Sequence, residues 1–347
     1  MRGTIAGPGV RQRSRPGIDL QEVWRPIAGE LARVEEMLTR QVESFDEGMV
    51  EHVRHAVGST GKRLRPSLAL LAGGVTGPLR DDHIKLGVIV ELVHLATLVH
   101  DDVLDEAQMR HGLPSANVRW GNEISVLLGD CLFARALQLG ATYPTTEVCR
   151  RISAAANTVC AGEILQTQAR FNLDLHLGRY LDIIRMKTGA LFAVSCELGA
   201  WLNDSEPSVV ELFNTFGTTL GMAYQIYDDC IDVFGQEVAA GKSLGTDMTK
   251  GKPTLPFLLL RQHLGDGKRE ALDALLFSAD PCARQQMGEM AAGNGVAAES
   301  RAAIEQYIGR ARAALAGLPA NSHRQALEGL VDYLSAQSGR LLEDVVN

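Results

Sequence analysis

Residues 92–112 read LVHLATLVHDDVLDEAQMRHG. The first half is apolar with the three- and four-residue spacing of a helix, and the second half carries the aspartates Asp101, Asp102 and Asp105. Positions i and i+4 of a helix share a face, so Asp101 and Asp105 project together beside apolar neighbours. Because unpaired carboxylates are costly in such surroundings, the pattern predicts a cation between them.

A second aspartate cluster lies in residues 221–232, which read GMAYQIYDDCID and contain Asp228, Asp229 and Asp232. A single DDxxD motif is also typical of a solvated acidic helix face, whereas two of them on long apolar helices favour a metal site between facing helices. Closely spaced carboxylates suit Mg²⁺, which keeps some waters and takes other ligands from phosphate. The two motifs therefore predict a magnesium site that also binds an anion.

Polar residues extend each cluster along one face of its helix. His94 and Thr97 precede Asp101 at three- and four-residue steps, and Gln225 precedes Asp228 by three residues. Each helix thus presents a face that is carboxylate-rich at one end and less charged at the other. This arrangement predicts a deep apolar pocket with metal ions at its mouth.

The same helical periodicity runs from about Leu20 onward, with no convincing alternating strand. Short clusters rich in glycine, proline and asparagine divide it into roughly ten or more helices. We therefore predict an all-α fold, one helical bundle around a deep central cavity, over residues 20–347. Residues 1–16 include four arginines and no acid, and we predict a disordered basic tail over residues 1–19.

The composition excludes several classes of protein. A net charge of −8 over 347 residues gives no general attraction to nucleic acid or anionic lipid. The six cysteines form no CxxC pair, which is typical of reduced core thiols in a cytoplasmic protein. The richest apolar stretch, Leu86–Val99, is interrupted by Glu91 and His94. It is shorter than the roughly 20 residues of a membrane span, so we expect no stable membrane insertion.

Basic residues occur where an anion is expected. Lys62 and Arg65 belong to GKRLRP, residues 61–66, which follows a glycine break and opens a helix. The N–H groups and dipole of a helix N-terminus favour phosphate, and arginine adds a fork of donors. Lys187 lies inside the apolar run Ile183–Ala200 and needs an anionic partner. An exposed basic turn is the plain alternative for residues 61–66.

A glycine-rich segment follows the second cluster. Residues 235–251 contain four glycines and Lys242, and Lys252 comes directly after them. Such a segment beside a carboxylate cluster predicts a mobile lid over an anionic ligand, with an ordinary surface loop as the alternative.

Together these motifs resemble the trans-isoprenyl diphosphate synthases of the polyprenyl synthetase family, most of all its medium- and long-chain enzymes. The resemblance covers nearly everything from Leu20 to Asn347. The matching motifs are GKRLRP from Gly61, LVHLATLVHDDVLDEAQMRHG from Leu92, GEILQ from Gly162, KTGALF from Lys187, GMAYQIYDDCID from Gly221 and GKSLGTDMTKGKPTLP from Gly241.

The resemblance implies a Mg²⁺-dependent prenyltransferase that condenses isopentenyl diphosphate with an allylic diphosphate to give a linear trans-polyprenyl diphosphate. It also implies a homodimer and three Mg²⁺ ions.

The implied metal ligands are Asp101, Asp105 and Asp228, assisted by Asp102, Asp229 and Asp232. The implied allylic diphosphate ligands are Arg110, Lys187, Lys242 and Lys252. The implied isopentenyl diphosphate ligands are Gly61, Lys62, Arg65 and His94, with His111 at the place of a further ligand. The residues implied in catalysis are Lys187, Thr188, Gln225 and Lys242, of which Thr188 and Gln225 face the developing cation.

Two features depart from the family pattern. His111 stands where the family usually has a second arginine, and histidine, with a pKa of about 6.5, is mostly neutral at pH 7. The site for isopentenyl diphosphate is therefore expected to be weaker, or the chain serves another reaction. The segment Val331–Arg340 also differs from the usual family ending.

Three alternatives stay open. The first is a terpene cyclase-like lyase, which needs no isopentenyl diphosphate; the intact Lys62, Arg65 and His94 disfavour it. The second is a non-catalytic subunit of a heteromeric synthase, which would be expected to lose aspartates. The third is a short-chain synthase that makes farnesyl or geranylgeranyl diphosphate.

Chain length depends on the residues before the first cluster. Thr97, Ala96 and Val93 are small or medium-sized and none is aromatic. By the resemblance, bulky side chains here form a floor that stops short products, so we predict a product longer than geranylgeranyl. A wall formed by Leu127, Leu128 or Phe133 is the alternative.

Overall fold

The computed structural model describes residues 19–58, 61–110, 112–235, 244–278 and 282–346. His111 and Lys242 lie outside the described residues, as does the predicted tail except for Asp19.

Helices make up almost all regular structure in these ranges, which confirms the predicted all-α class. The α-helices are α1 Leu20–Trp24, α2 Ala28–Glu43, α3 Glu47–Gly58, α4 Leu64–Thr76, α5 Asp81–Leu104, α6 Ala116–Gly140, α7 Glu147–Gln168, α8 Leu177–Ile184, α9 Ala190–Trp201, α10 Pro207–Phe234, α11 Thr246–Thr249, α12 Leu255–His263, α13 Asp266–Leu276, α14 Ala283–Ala292, α15 Val296–Ala316 and α16 Ser322–Val346. The 3₁₀ turn Arg25–Ile27 joins α1 to α2, and the π turn Arg185–Gly189 joins α8 to α9. One antiparallel hairpin pairs β1 Met109–Arg110 with β2 Leu113–Pro114.

Helix α5 is the central element, and it carries the first aspartate cluster at its C-terminal end. It is the one described helix long and apolar enough to cross a membrane, by length and composition alone. Its apolar window is 72% buried inside the fold. A helix that is hydrophobic on all sides and covered in this way is typical of the core of a large helical protein.

The helices around α5 approach one another closely. Helix α5 packs against α2, α4 and α6, and α9 packs against α4, α5, α7 and α10. Glycines make two of these approaches possible. A Cβ at Gly199 would collide with the carbonyl oxygen of Ala69 on α4, and a Cβ at Gly217 would lie 2.5 Å from the carbonyl oxygen of Phe192. Helix α9 is therefore held firmly between α4 and α10.

Both aspartate clusters lie in the last turns of their helices. Asp101 and Asp102 are in the last turn of α5 and Asp105 caps it, while Asp228 and Asp232 lie near the end of α10. A helix C-terminus carries partial negative charge. Two such ends with clustered carboxylates create a strongly cation-attracting region.

Candidate active site

Basic side chains hold the first aspartate cluster. Buried Asp102 accepts a hydrogen bond from Arg110 Nε at 3.0 Å. Asp105 accepts from Lys252 Nζ at 2.7 Å and from Arg170 Nη2 at 2.9 Å. Asp101 is held more loosely, because Lys187 Nζ lies 3.9 Å from its Oδ2.

The electrostatics of this cluster are uneven. Burial raises the pKa of Asp101, and the nearby charge of Lys187 only partly opposes that rise. Burial acts in the same direction on Asp105, but Lys252 outweighs it and lowers the pKa of that carboxyl. The charge of Asp101 is therefore the less well compensated, which suits a further cation beside it.

A polar chain holds the second cluster. Buried Asp229 accepts from the Tyr180 hydroxyl at 2.6 Å and from Gln225 Nε2 at 2.8 Å. The Thr188 hydroxyl in turn donates to Gln225 Oε1 at 2.6 Å. Burial, with a smaller contribution from Asp247, raises the pKa of Asp229 to about 8. Asp229 thus serves as the anchor for Gln225 and, through it, for Thr188.

Asp232 has a structural partner in the segment that follows. Its carboxylate accepts the backbone N–H groups of Thr246 and Asp247, each at 3.2 Å. These contacts cap α11 and so fix the path of the chain toward Lys252. Asp228 is half-buried on the same helix, and its charge acts on the Arg110 guanidinium.

The two clusters act on a common group, Arg110. Burial lowers the pKa of its guanidinium, but Asp102, Asp101 and Asp228 together raise it above the ordinary value. In the ranges that the structure describes, no three His, Cys, Asp or Glu side chains are close enough to hold a metal ion by themselves. Mg²⁺ is usually bound by one or two carboxylates and completed by water and substrate phosphate. The donor set fits an ion of that kind.

Lys187 is positioned by the motif GEILQ on α7. It lies in the π turn Arg185–Gly189, a feature often found at functional sites. Gly162 admits this turn, because a Cβ there would lie 2.7 Å from Lys187 N. Lys187 Nζ contacts Glu163 and donates to Gln166 Oε1 at 2.8 Å. Burial lowers the pKa of Lys187, but Asp101 and Glu163 outweigh it and raise the pKa above its ordinary value.

A separate basic group lies at the start of α4. Gly61 and Lys62 are exposed, and Lys62 Nζ lies 5.8 Å from the centre of the Tyr333 ring on α16. The Arg65 guanidinium lies 4.9 Å over the Phe192 ring, and its buried Nε has no hydrogen-bond partner among the described residues. Burial lowers the pKa of Arg65 to about 10, so it stays charged at neutral pH. A partly buried, incompletely bonded guanidinium fits an incoming anion.

The residues predicted to control chain length lie in the interior. Val93 and Ala96 are fully buried on α5, and Thr97 is partly buried with its hydroxyl on the carbonyl oxygen of His94. Leu127 is 59% exposed on α6 and faces outward, whereas Leu128 is buried. Leu127 therefore does not form an inner wall within one chain.

Sequence reasoning did not assign Glu163, Arg170, Tyr180 and Tyr333. Tyr180 lies two helical turns before Lys187, so helical spacing could have suggested it. Tyr333 falls in the segment Val331–Arg340, which differs from the usual family ending. Arg170 had no signal in the sequence, since only the fold brings the start of the α7–α8 loop to Asp105.

Comparison with known proteins settles the family. The sequence model described as polyprenyl synthetase matches residues 46–292. The chain belongs to the polyprenyl synthetase family. The enzymes of this family are prenyltransferases and generally depend on Mg²⁺, so this chain is a trans-prenyltransferase.

Relatives within the polyprenyl synthetase family align over nearly the whole chain. Nonaprenyl diphosphate synthase from Mycobacterium tuberculosis is 35% identical over 331 residues, which cover 93% of this chain and 97% of that protein. A nonaprenyl diphosphate synthase from Rhodobacter capsulatus, described as geranyl-diphosphate specific, is 33% identical over 89% of this chain and 95% of its own. The crystal structure of a Caulobacter crescentus polyprenyl synthase in complex with calcium and isoprenyl diphosphate superposes with a TM-score of 0.88 at 32% identity, covering 93% of this chain and 99% of that one.

Proposed function

We propose that this enzyme repeatedly condenses isopentenyl diphosphate with an allylic diphosphate and releases a linear trans-polyprenyl diphosphate longer than geranylgeranyl. One observation carries the proposal. Two aspartate clusters, at the ends of α5 and α10, both act on the Arg110 guanidinium, with Lys187 and Lys252 beside the first cluster and Arg65 in a separate basic group. Two diphosphates with different roles need two such basic groups.

The residues around the clusters have defined tasks in this reaction. Asp101, Asp105 and Asp228 would hold Mg²⁺, three ions in all, with Asp102 and Asp229 supporting their helices. When bound, Mg²⁺ supplies positive charge to the oxygens of the departing diphosphate. Basic residues add to that stabilisation because they bring positive charge to the same diphosphate. They are Arg110, Lys187 and Lys252, and Lys242 is proposed to join them.

The apolar interior protects the reaction from water. Cleavage of the allylic C–O bond leaves a carbocation, which water would otherwise capture. The oxygens of Thr188 and Gln225, which are joined by a hydrogen bond, would face that cation. The double bond of isopentenyl diphosphate forms the new C–C bond, and the released diphosphate accepts the proton that restores a double bond. The site therefore needs no dedicated His/Asp base.

Isopentenyl diphosphate is assigned to the second basic group. Lys62 and Arg65 would bind its diphosphate, with Gly61 and His94 beside them and His111 at the place of the usual arginine. The exposed Lys62 can close on a ligand, while the partly buried Arg65 is already oriented by the Phe192 ring. This separation keeps the two diphosphates apart.

Product length is proposed from the same interior. Two of the relatives named above are nonaprenyl diphosphate synthases, and the side chains below the first cluster, Ala96 and Val93, leave no aromatic floor on α5. A nonaprenyl-like chain is expected to grow down this helix.

Product analysis tests the function directly. The purified protein is incubated with Mg²⁺, labelled isopentenyl diphosphate, and in turn dimethylallyl, geranyl, farnesyl or geranylgeranyl diphosphate. We expect products beyond geranylgeranyl diphosphate by mass spectrometry. Hydrocarbon released from an allylic diphosphate alone would instead identify a lyase, and products that stop at farnesyl or geranylgeranyl a short-chain synthase. Turnover that requires an added second protein would identify a heteromeric subunit.

We also propose a homodimer in the cytoplasm. Helix α6 exposes four large apolar side chains, 40–59% accessible. Burying them against a second copy of the chain would be favourable. The four residues are Val118, Ile124, Val126 and Leu127. A two-fold contact between α6 helices would cover the same surface on both copies. All six cysteines are free, which supports a reducing compartment.

A further inference from the structure

The loop before α4 contains a third basic residue, Arg63, between Lys62 and Arg65. Arg63 is the N-cap of α4 and has φ 48° and ψ 38°, in the left-handed region. A non-glycine residue stays in this region only when its surroundings hold it there. The backbone conformation at Arg63 therefore has to be stabilised by contacts of its own side chain or of its neighbours.

The Arg63 side chain makes these contacts. Its guanidinium donates four hydrogen bonds to three helices. Nε donates to Glu35 Oε1 on α2 at 2.6 Å, Nη1 to Glu91 Oε1 on α5 at 2.7 Å, and Nη2 to the Val57 carbonyl on α3 at 3.0 Å. Only 10% of the side chain is exposed. With so many donors already used, Arg63 has little capacity left for a substrate.

Glu91 connects Arg63 to Arg65. Its side chain is 3% exposed, and Oε2 is buried with no hydrogen-bond partner in the described parts of the chain. Its negative charge also acts on Arg65, for which it opposes the effect of burial. Glu91 thus compensates one guanidinium by contact and a second by proximity. It lies on α5, the same helix that carries Asp101.

We propose that Arg63 is a positioning residue for the isopentenyl diphosphate site. Its ion pair with Glu91 fixes the loop before α4 so that Lys62 and Arg65 face the diphosphate. Arg63 itself does not contact the substrate. This inference rests on the proposed function, since it assigns a role within the reaction described above. Of the three basic residues in positions 62–65, Lys62 and Arg65 would bind the substrate and Arg63 would position them.

The test measures steady-state constants for Arg63→Gln, Glu91→Gln and the double variant. We expect the KM for isopentenyl diphosphate to rise about tenfold to a hundredfold in each single variant, because small displacements of binding groups have effects of that size. The KM for the allylic substrate and kcat should stay nearly unchanged. The KM of the double variant for isopentenyl diphosphate should not exceed the higher of the two single-variant values, because both changes break the same ion pair.

Glu91→Gln separates positioning from direct binding. Removing a carboxylate near an anionic ligand should improve binding if charge alone mattered. Positioning predicts the opposite, a higher KM for isopentenyl diphosphate. A lower or unchanged KM in Glu91→Gln would overturn the proposal. Calorimetric titration of each variant with isopentenyl diphosphate alone gives a second readout that does not depend on turnover.

Two further variants complete the test, one as a control and one as a second probe of the Arg63 contacts. Arg33→Gln breaks an exposed ion pair between Arg33 on α2 and Asp81 on α5, the same two helices, and should change neither KM. Glu35 is 46% exposed, so Glu35→Gln should fold even if Arg63→Gln does not, and should still raise the KM for isopentenyl diphosphate. Equal changes in both KM values would overturn the proposal. A wild type that extends no allylic diphosphate would contradict the proposed function itself.

Discussion

At the scale of single residues, the six aspartates differ more than their two identical motifs suggest. Asp102 is bonded to Arg110, Asp229 to Tyr180 and Gln225, and Asp232 to backbone N–H groups. Asp101 is paired more loosely, with Lys187 Nζ 3.9 Å from its Oδ2. Aspartates of the same DDxxD motif therefore have different roles: some support the fold, and others remain available for metal.

Replacing Asp101 or Asp228 with alanine should lower kcat by about a hundredfold to a thousandfold or more, because electrostatic stabilisation of the departing diphosphate is lost. Circular dichroism should keep its helical signal, since neither side chain is needed for packing. Asp81→Asn, at the exposed start of the same α5, is the control and should keep its rate. Near-wild-type turnover of Asp101→Ala in saturating Mg²⁺ would contradict the assignment.

Restoring arginine at position 111 should strengthen the isopentenyl diphosphate site. The KM for isopentenyl diphosphate should fall about tenfold to a hundredfold in His111→Arg, which corresponds to a charge-assisted contact of ~1.5–3 kcal/mol. The KM for the allylic substrate should stay nearly constant. Measurement at lower pH, where the histidine of the wild type is protonated, should narrow the difference. If His111→Arg leaves both constants unchanged, residue 111 is not in this site.

At the scale of elements, α5 depends on contacts at both ends. Its aspartates end the helix at the site, while His83 anchors its first turn. His83 is fully buried, and its Nδ1 accepts the backbone N–H of Arg80 at 3.1 Å. That hydrogen bond requires an unprotonated Nδ1, so the anchor works only with neutral histidine.

The anchor predicts a pH-dependent stability. Burial, and then the charge of Arg80, lowers the pKa of His83 from its ordinary value of 6.5. The unfolded chain binds a proton more readily than the folded chain, so this contribution is complete above pH 6.5 and is lost as pH falls below it. Denaturant midpoints at about pH 8 and about pH 5.5 should differ less in His83→Gln than in wild type. The exposed His176→Gln should keep the wild-type difference, and an equal difference in His83→Gln would contradict the anchor.

The length of the product should respond to a side chain one or two turns below Asp101. At about 1.5 Å per residue, Ala96 and Thr97 lie roughly 6 to 7.5 Å down the helix. Ala96→Phe or Thr97→Phe should therefore accumulate shorter products in mass spectrometry, with the first condensation largely kept. Overpacking at the fully buried Ala96 is expected to cost about 1–3 kcal/mol of stability as well. Unchanged products in both variants would show that the tail follows another route.

At the scale of the whole molecule, α6 presents an apolar surface that one chain does not cover. Leu127→Glu should place a charge in the proposed α6 contact and convert the dimer to a monomer in sedimentation or light-scattering measurements. Phe277→Glu is the matched control, because Phe277 is equally exposed at 59% but lies after α13. The assignment of α6 fails if Leu127→Glu stays dimeric, or if both variants dissociate.

The all-α class, the two aspartate clusters, the basic groups and the family could all be predicted from the sequence. These features are local: helical spacing, residue type and short motifs are visible within one or two turns. They could be predicted because the charge and ligand chemistry of a carboxylate or a lysine are set by the residue type alone.

The partner of each charged group became visible only in the folded chain. Lys252 meets Asp105 across 147 positions of sequence, and Arg170 reaches the same carboxylate from another loop. The fold also distinguishes Arg63, whose guanidinium is bonded to three helices, from Lys62 and Arg65 beside it. Burial and long-range packing set these pairings, because the free energy of a buried charge depends on everything that the fold brings within a few ångströms of it.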